Sequence, residues 1–368
     1  MNIKNIKKHT VAMIAAAVLI IGANPADACT GVQITTRDHA VINGRTVEFG
    51  VFLDTSIVVV PRGYSFTGST TLGAGKKWTS RYASMGMILV DNQVIVDGMN
   101  EKGLATASFY FPGYAEYSVT TKENQKISMS SSDFTQWILS MFETVDEVKK
   151  AIENDEVAIS PVLTPGFPPQ VQPFHFIVYD RSGKSIVIEP LDGKLKIFDN
   201  PIGVITNSPT FDWHMTNLRN YVNLLAHTPE DVKVFGATLK PLGQGAGMLG
   251  LPGDFTPPSR FVRAAAFAAS SIPAETADEG VLQVFHILNS FDIPVGAART
   301  IEDGKIFSDY TMLTLVRDTK NLRFYYKTYD DQTIKMVDMK KFDLDGKKIL
   351  RLHTKTEQSY EDVTGKLK

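Results

Sequence analysis

The chain has 368 residues, 43% hydrophobic and 21% charged, with 38 basic against 40 acidic side chains. That composition belongs to a globular protein with a sizeable core, and Gly (27) and Pro (18) near background exclude collagen-like and low-complexity chains. A formal net charge of -2 lacks the basic excess that marks nucleic-acid partners, and a single cysteine excludes an intrachain disulfide or a Cys-rich zinc site.

Residues 1–28 have the layout of a secretory signal peptide. Lys4, Lys7 and Lys8 precede an apolar run from Val11 to Ile21, and the small-residue tripeptide Ala26-Asp27-Ala28 follows. The run is too short for a spanning helix, which takes about 20 residues, and no later stretch is apolar for long enough. The expectation is an exported protein, periplasmic or secreted, with no stable membrane span. Cleavage after Ala28 makes Cys29 the first residue of the mature chain, and residues 29–368 then form one domain.

The only cysteine therefore sits where signal peptidase cuts, and three readings compete. Cys29 is a nucleophile whose own α-amine is the base, or a lipoprotein cysteine acylated at a membrane, or an inert thiol. Ala26 stands where a lipobox has Leu, Asp27 stands where it has a small neutral residue, and no Ser/Gly tether follows. An inert thiol leaves the position unexplained. The nucleophile reading has a chemical basis. A free thiol has a pKa of about 8.5 and an α-amine titrates near 7.7–8.0, so one residue supplies both nucleophile and proton acceptor.

In chain order, Val32–Arg37 and Val41–Phe49 read as short strands around the turn Asp38-His39-Ala40. Ser56–Val60, Met85–Val90 and Gln93–Asp97 continue the pattern, with the turn Asp91-Asn92 between the last two, and Leu104–Phe111 ends at Pro112-Gly113. Helices are expected over Ser132–Glu143 and Val145–Asn154, the second opened by Thr144 and Glu147 at capping-box spacing. Five prolines make Ser160–Pro173 a loop. Strands resume at Phe174–Tyr179, Ser185–Glu189, Leu195–Phe198 and Gly203–Thr206, followed by helices over Trp213–Ala226, Arg260–Ser271 and Asp278–Asn289. The end returns to strands at Thr311–Arg317, Leu322–Tyr329, Gln332–Val337 and Ile349–Leu352. No repeat or linker interrupts this order, and two stacked sheets covered by helices fit it. Among the histidines, His175 reads as a packed strand residue. His214, His227, His286 and His353 read as surface or core residues.

Five motifs then carry a resemblance. They are Cys29-Thr30-Gly31, Gly44-Arg45-Thr46, Asp97-Gly-Met-Asn-Glu-Lys-Gly-Leu104, Thr206-Asn207-Ser208-Pro209-Thr210-Phe211-Asp212, and Gly250-Leu-Pro-Gly-Asp254 leading into Ser259-Arg260-Phe-Val-Arg263. In this order the chain resembles the choloylglycine hydrolase family, the bile salt hydrolases and penicillin V acylases. The resemblance implies an α+β fold, the four-layer αββα sandwich of N-terminal-nucleophile hydrolases. It implies that Cys29 is the nucleophile and that Arg45 and Arg260 are active-site arginines, with Arg263 structural. Glu48 stands where the family has an aspartate holding the α-amine. Asn207 falls on the oxyanion-hole asparagine. Tyr110 falls where its backbone N–H completes that hole, at a position that is Asn in bile salt hydrolases and Tyr in penicillin V acylases.

The implied reaction is hydrolysis of a linear, non-peptide amide, with a small-molecule substrate and no metal or organic cofactor. Tyr110 tilts the substrate from conjugated bile salts toward penicillin V or N-acyl homoserine lactones. Phe49–Phe66 and Ser160–Pro173 are expected to border the acyl pocket, and a homotetramer is expected by resemblance. The competing class is an exported, lipid-anchored binding protein on a degenerate hydrolase scaffold.

Overall fold

The computed structural model describes residues 28–50, 53–89, 94–163, 171–302 and 304–367. Most of the signal segment, the Asp91-Asn92 turn with its neighbours Val90 and Gln93, part of Phe49–Phe66 and the middle of the proline-rich loop lie outside the described residues. The first half of the chain holds β1 (Cys29–Thr35), β2 (Val41–Phe49), β3 (Thr55–Val60), β4 (Ser65–Thr70), β5 (Gly73–Thr79), β6 (Ser84–Leu89), β7 (Asp97–Asn100) and β8 (Ala105–Tyr110). Next come β9 (Ser128–Ser130), α1 (Ser131–Met141), α2 (Val145–Glu153), β10 (Ala158–Ser160), β11 (Phe174–Tyr179), β12 (Ser185–Leu191) and β13 (Lys194–Asp199). The rest comprises α3 (Phe211–Leu218), β14 (Val232–Val234), β15 (Ala237–Leu239), α4 (Pro257–Ser270), α5 (Ala277–Asn289), β16 (Ala298–Glu302), β17 (Lys305–Asp318), β18 (Arg323–Thr328), β19 (Asp331–Asp338) and β20 (Leu350–His353).

The two large sheets are antiparallel. One runs β13-β12-β11-β8-β7-β6-β3-β20, and the other runs β1-β2-β17-β18-β19 with β16 paired to β17. Strand alternation sorts the core. In β3, Ile57 and Val59 enter the cluster shared with the second sheet, while Val58 and Val60 enter the cluster under α1 and α2. Helices α4 and α5 cover the outer face of the second sheet, and α1 packs on β7 and β8. The layers are helix, sheet, sheet, helix, as the resemblance implies.

Helix starts follow local chemistry. Ser130 and Asp133 form a reciprocal capping box at α1. At α2, Thr144 Oγ1 accepts from Glu147 N at 3.2 Å, but the Glu147 carboxylate accepts instead from Glu143 N at 2.7 Å, one residue before the cap. Thr276 and Glu279 repeat this arrangement at α5, with Glu275 N as the donor at 2.9 Å. Helix α4 begins at Pro257, where the missing N–H costs no hydrogen bond.

Several expected elements differ. Gly203–Thr206 is not a strand, because Gly203 turns with φ +64° and only Ile205 bridges to Gly31. The helix expected over Trp213–Ala226 stops at Leu218, followed by a 3-10 turn over Arg219–Tyr221. Its continuation would have had no sheet beneath it: Val222 and Leu225 are exposed, and short helices hold mainly by packing an apolar face. The strands β4, β5, β14, β15 and β16 are additional to the expected ones, and β17 begins at Lys305, ahead of the expected Thr311; in β4 and β5 the Ser, Thr, Gly and Lys content hides the strand pattern.

Candidate active site

The site is built where β1 begins. Antiparallel pairing sets Cys29 opposite Val47 and Gly31 opposite Arg45. Gly31 lets another segment lie against β1. A Cβ there would meet Ile205 Cγ2 at 2.7 Å and the Phe109 ring at 2.9 Å. Gly31 and Ile205 exchange both backbone hydrogen bonds, at 2.8 and 3.1 Å. Antiparallel continuation by two residues then brings Asn207 to Cys29.

Asn207 is the hub. Its Oδ1 accepts from Cys29 N and from Arg260 Nη2, both at 2.8 Å, and its Nδ2 donates to the Tyr110 carbonyl at 2.7 Å. Two obligate donors and one obligate acceptor fix which way the amide faces. An NH₂ carries two hydrogens, so one beyond the bond to Tyr110 remains for another acceptor. Arg260 closes the ring from α4, with Nη1 donating to the Cys29 carbonyl and to Thr30 Oγ1, and Nε donating to the Phe255 carbonyl at 2.9 Å. Arg45 donates to the carbonyls of Thr46 and Ser108. Its guanidinium lies 4.0 Å over the Phe109 ring and 3.8 Å from Asp97, the carboxylate that also pairs with buried Arg317. The motif beginning at Asp97 thus supplies the counter-charge for two buried arginines.

Burial dominates the electrostatics. It pushes the Cys29 thiol up, aided by the Glu48 carboxyl and opposed by Arg45, the Glu48 backbone N–H and Arg260. Such a thiol needs a nearby proton acceptor to become a thiolate. Burial also lifts Glu48 to about 8, against the pull of Arg260, the Thr46 and Thr311 hydroxyls and Arg45. Burial lowers Arg260 to about 10, opposed chiefly by Glu48 and Cys29. Asp309 is lifted to about 7 by burial, with Arg260 pulling it back.

All six residues expected at the site from sequence, Cys29, Arg45, Glu48, Tyr110, Asn207 and Arg260, are buried and meet here. In the full chain Cys29 N bonds to Asn207, whereas Glu48 Oε1 accepts from Thr311 Oγ1 at 2.9 Å and Oε2 has no hydrogen-bond partner among the described residues. Sequence reasoning missed Thr311, which stands opposite Glu48 in the β2–β17 register, and Asp309 beside Arg260. Strand pairing alone reveals Thr311, and the approach of helix α4 to β17 alone reveals Asp309. Arg263 donates to the carbonyls of Pro252 and Asp254 at 2.8 and 2.7 Å and so holds the turn before α4. A cavity of about 560 Å³ near Tyr117, Ile159 and Leu195 touches none of these residues.

An αββα sandwich with a buried cysteine beside an oriented amide and two arginines defines a class, the cysteine-nucleophile amide hydrolases. The comparisons narrow it. Residues 29–351 match the linear amide C-N hydrolases, choloylglycine hydrolase family. The chain is 38% identical over 323 residues to a bile salt hydrolase/transferase of Clostridium perfringens, covering 87% of this chain and 95% of that one. A crystallised variant of conjugated bile acid hydrolase from Clostridium perfringens superposes with TM-score 0.79 and 36% identity, over 91% of this chain and 100% of that one. Penicillin V acylase from Agrobacterium tumefaciens gives TM-score 0.70 and 26% identity, over 88% and 91%. The chain belongs to the choloylglycine hydrolase family and is an amidohydrolase.

Proposed function

We propose that Cys29, freed by cleavage after Ala28, hydrolyses the amide bond of a conjugated bile acid. The α-amine takes the thiol proton and the sulfur adds to the carbonyl carbon. The spare Asn207 N–H and the Tyr110 backbone N–H stabilise the oxyanion, a contribution of roughly 3–4 kcal/mol per preorganised donor. The carbon–nitrogen bond breaks as the α-ammonium returns its proton to the leaving amine. Water then adds to the thioester, releasing the acid and restoring the thiol. Arg45 and Arg260 hold the carbonyl and amide groups around Cys29, and Glu48 presents its open Oε2 toward the new ammonium charge. The observation carrying this reading is the Cys29–Asn207–Arg260 ring, which fixes Cys29 N and the Asn207 amide together. The bile-acid preference rests on the higher identity to the conjugated bile acid hydrolase, 36% against 26% for penicillin V acylase among the solved structures.

A second reading, penicillin V, is favoured by Tyr110. Its ring packs edge-on against Phe49 at 6.4 Å and Phe174 at 6.2 Å, which puts aromatic side chains beside the position of its backbone N–H. N-acyl homoserine lactones, whose acyl chain is also joined through a linear amide, remain in the same reading. Kinetics of the mature protein on glycine-conjugated bile acids, penicillin V and an acyl homoserine lactone decide among them. The bile-acid reading fails if kcat/KM for either other amide is the higher. Retaining Met before Cys29, with its removal blocked, should leave folded protein without activity, and full activity would refute the α-amine as base.

The reading places the protein outside the cytoplasm, on the strength of the signal-like residues 1–28. No helix among the described residues is long and apolar enough to cross a membrane. An intact mass starting at unmodified Cys29 would exclude the lipid-anchored alternative. We also propose self-assembly, as a tetramer. In support, the excursion between α3 and α4 exposes Val222, Phe235, Leu242 and Leu249. These exposed side chains support the reading as a surface that another subunit would cover.

A further inference from the structure

The ladder that brings Asn207 to Cys29 ends at Ile205, so something else must hold the next two peptides. Two imidazoles do so. His175 Nε2 bonds to the Thr206 carbonyl and His214 Nε2 bonds to the Asn207 carbonyl, each at 2.9 Å. Carbonyls only accept, so both Nε2 atoms carry hydrogen. Each ring is clamped on an aromatic face. His175 stacks on Phe111 at 4.2 Å and 4°, and His214 stacks on Phe261 at 4.6 Å and 11°. Both side chains are buried.

The two supports are linked. Glu189 Oε1 lies 3.3 Å from His175 Nδ1 and accepts from Phe211 N at 2.8 Å. One carboxylate therefore fixes the first ring and also the start of α3, the helix that carries His214. His214 is neutral, since burial, His175 and Arg260 hold its pKa near 4 despite the bond to Asn207. Its Nδ1 has no partner among the described residues. The ring's one polar contact is thus the bond to Asn207.

We propose that His175 and His214 are positioning residues of the hydrolysis: by donating to successive carbonyls, they fix the two peptides that flank Asn207 and so aim its amide at the reacting carbonyl. This rests on Asn207 being the oxyanion donor. Misplacing a catalytic group by about 1 Å costs about a hundredfold in rate, so a loosened peptide is felt at Cys29 although neither ring touches substrate.

Gln and Met have similar length, and only Gln carries an N–H. On glycine-conjugated bile acids or penicillin V, whichever the mature enzyme cleaves, His214→Met should lower kcat by roughly tenfold to a hundredfold with KM within about twofold. His214→Gln should stay within about threefold of wild type in kcat, since the donor is kept. His214→Phe, which keeps the ring stack without the donor, should match Met. Asn207→Ala is measured alongside. If its kcat equals wild type, the oxyanion reading fails and this proposal with it. If Asn207→Ala is inactive but His214→Met and His214→Phe keep wild-type kcat, only the positioning role is overturned. Equal losses in Gln and Met overturn it too, because the donor is then irrelevant. So does failure of Met and Phe to fold beside a fully active Gln variant, which would make the bond purely structural. His175→Met combined with His214→Met should lose less than the product of the single losses, because the two bonds hold the peptides on either side of one residue, Asn207. Independent losses would mean that the two rings do not share a task.

Discussion

Two regions of this molecule place their side chains in opposite ways. Around Cys29 the chain buries charge, with Arg260 only 1% exposed, while between α3 and α4 it exposes apolar bulk, with Phe235 and Leu242 each at 106%. The first arrangement holds because each arginine nitrogen finds an acceptor, as Arg260 does at Cys29, Thr30, Asn207 and Phe255. Buried charge of this kind is rigid, and rigidity is what a preorganised oxyanion site needs. The second has no such internal compensation. Its short hairpin β14–β15 forms a two-stranded sheet that joins no other strand among the described residues, so its apolar side chains face water in the single chain.

The contrast is broken most severely at Arg260. Arg260→Met keeps the length and removes every donor, leaving Glu48 with one fewer opposing charge. A loss of about 3–5 kcal/mol in urea unfolding is expected, as for other broken buried networks. A change below about 1 kcal/mol would show that the ring of hydrogen bonds does not hold the site.

Glu48 gives a sharper, smaller effect. Glu48→Gln should lower kcat through a lost charge-assisted hydrogen bond to the α-ammonium, roughly 1.5–3 kcal/mol of barrier. Asp is one methylene shorter and cannot keep the 2.9 Å bond from Thr311 without backbone adjustment, so Glu48→Asp should resemble Gln. Wild-type kcat in both variants would take Glu48 out of the chemistry. Stability supplies a separate measurement. Burial raises this carboxyl from 4.5 to about 8 in the full chain, so between those values the folded state keeps a proton that the unfolded chain releases. Stability therefore falls as pH rises through that window. Thermal midpoints of the full-length Glu48→Gln chain should show a flatter pH dependence than the unsubstituted chain. An identical slope would mean that Glu48 is ionised when folded.

The exposed region should give the smallest effect on the fold and a clear one on assembly. Phe235→Asp with Leu242→Asp places charge where a partner would press, so light scattering should report a smaller particle than the unsubstituted protein. Unfolding of the subunit itself should change by no more than about 0.5 kcal/mol per site. An unchanged oligomer would assign the exposed surface to something other than self-assembly.

What was legible in the sequence follows from how local each signal is. Strands β2 and β11 are legible at both ends, because runs of β-branched and aromatic residues bounded by turn residues need no distant partner to be recognised. The helices α1, α2, α4 and α5 were found within a few residues, from caps and an apolar face. The lone cysteine and the arginines in motif context marked the chemistry. Elements of low hydrophobicity, such as β4 and β5, were passed over because their pairing, not their composition, makes them strands.

Motif order along the chain carries the resemblance to the family and, through it, the residues that gather at the site, while strand and helix periods carry the two sheets covered by helices. The tertiary structure decided the partners. Asn207-Ser208-Pro209 looks like a turn until the bridge between Gly31 and Ile205 brings it to Cys29. Thr311 gains meaning only opposite Glu48, and His214 only beneath the carbonyl it holds. These contacts join residues from separate strands and helices, and a hydrogen bond depends on distance in space, which spacing along the chain does not encode.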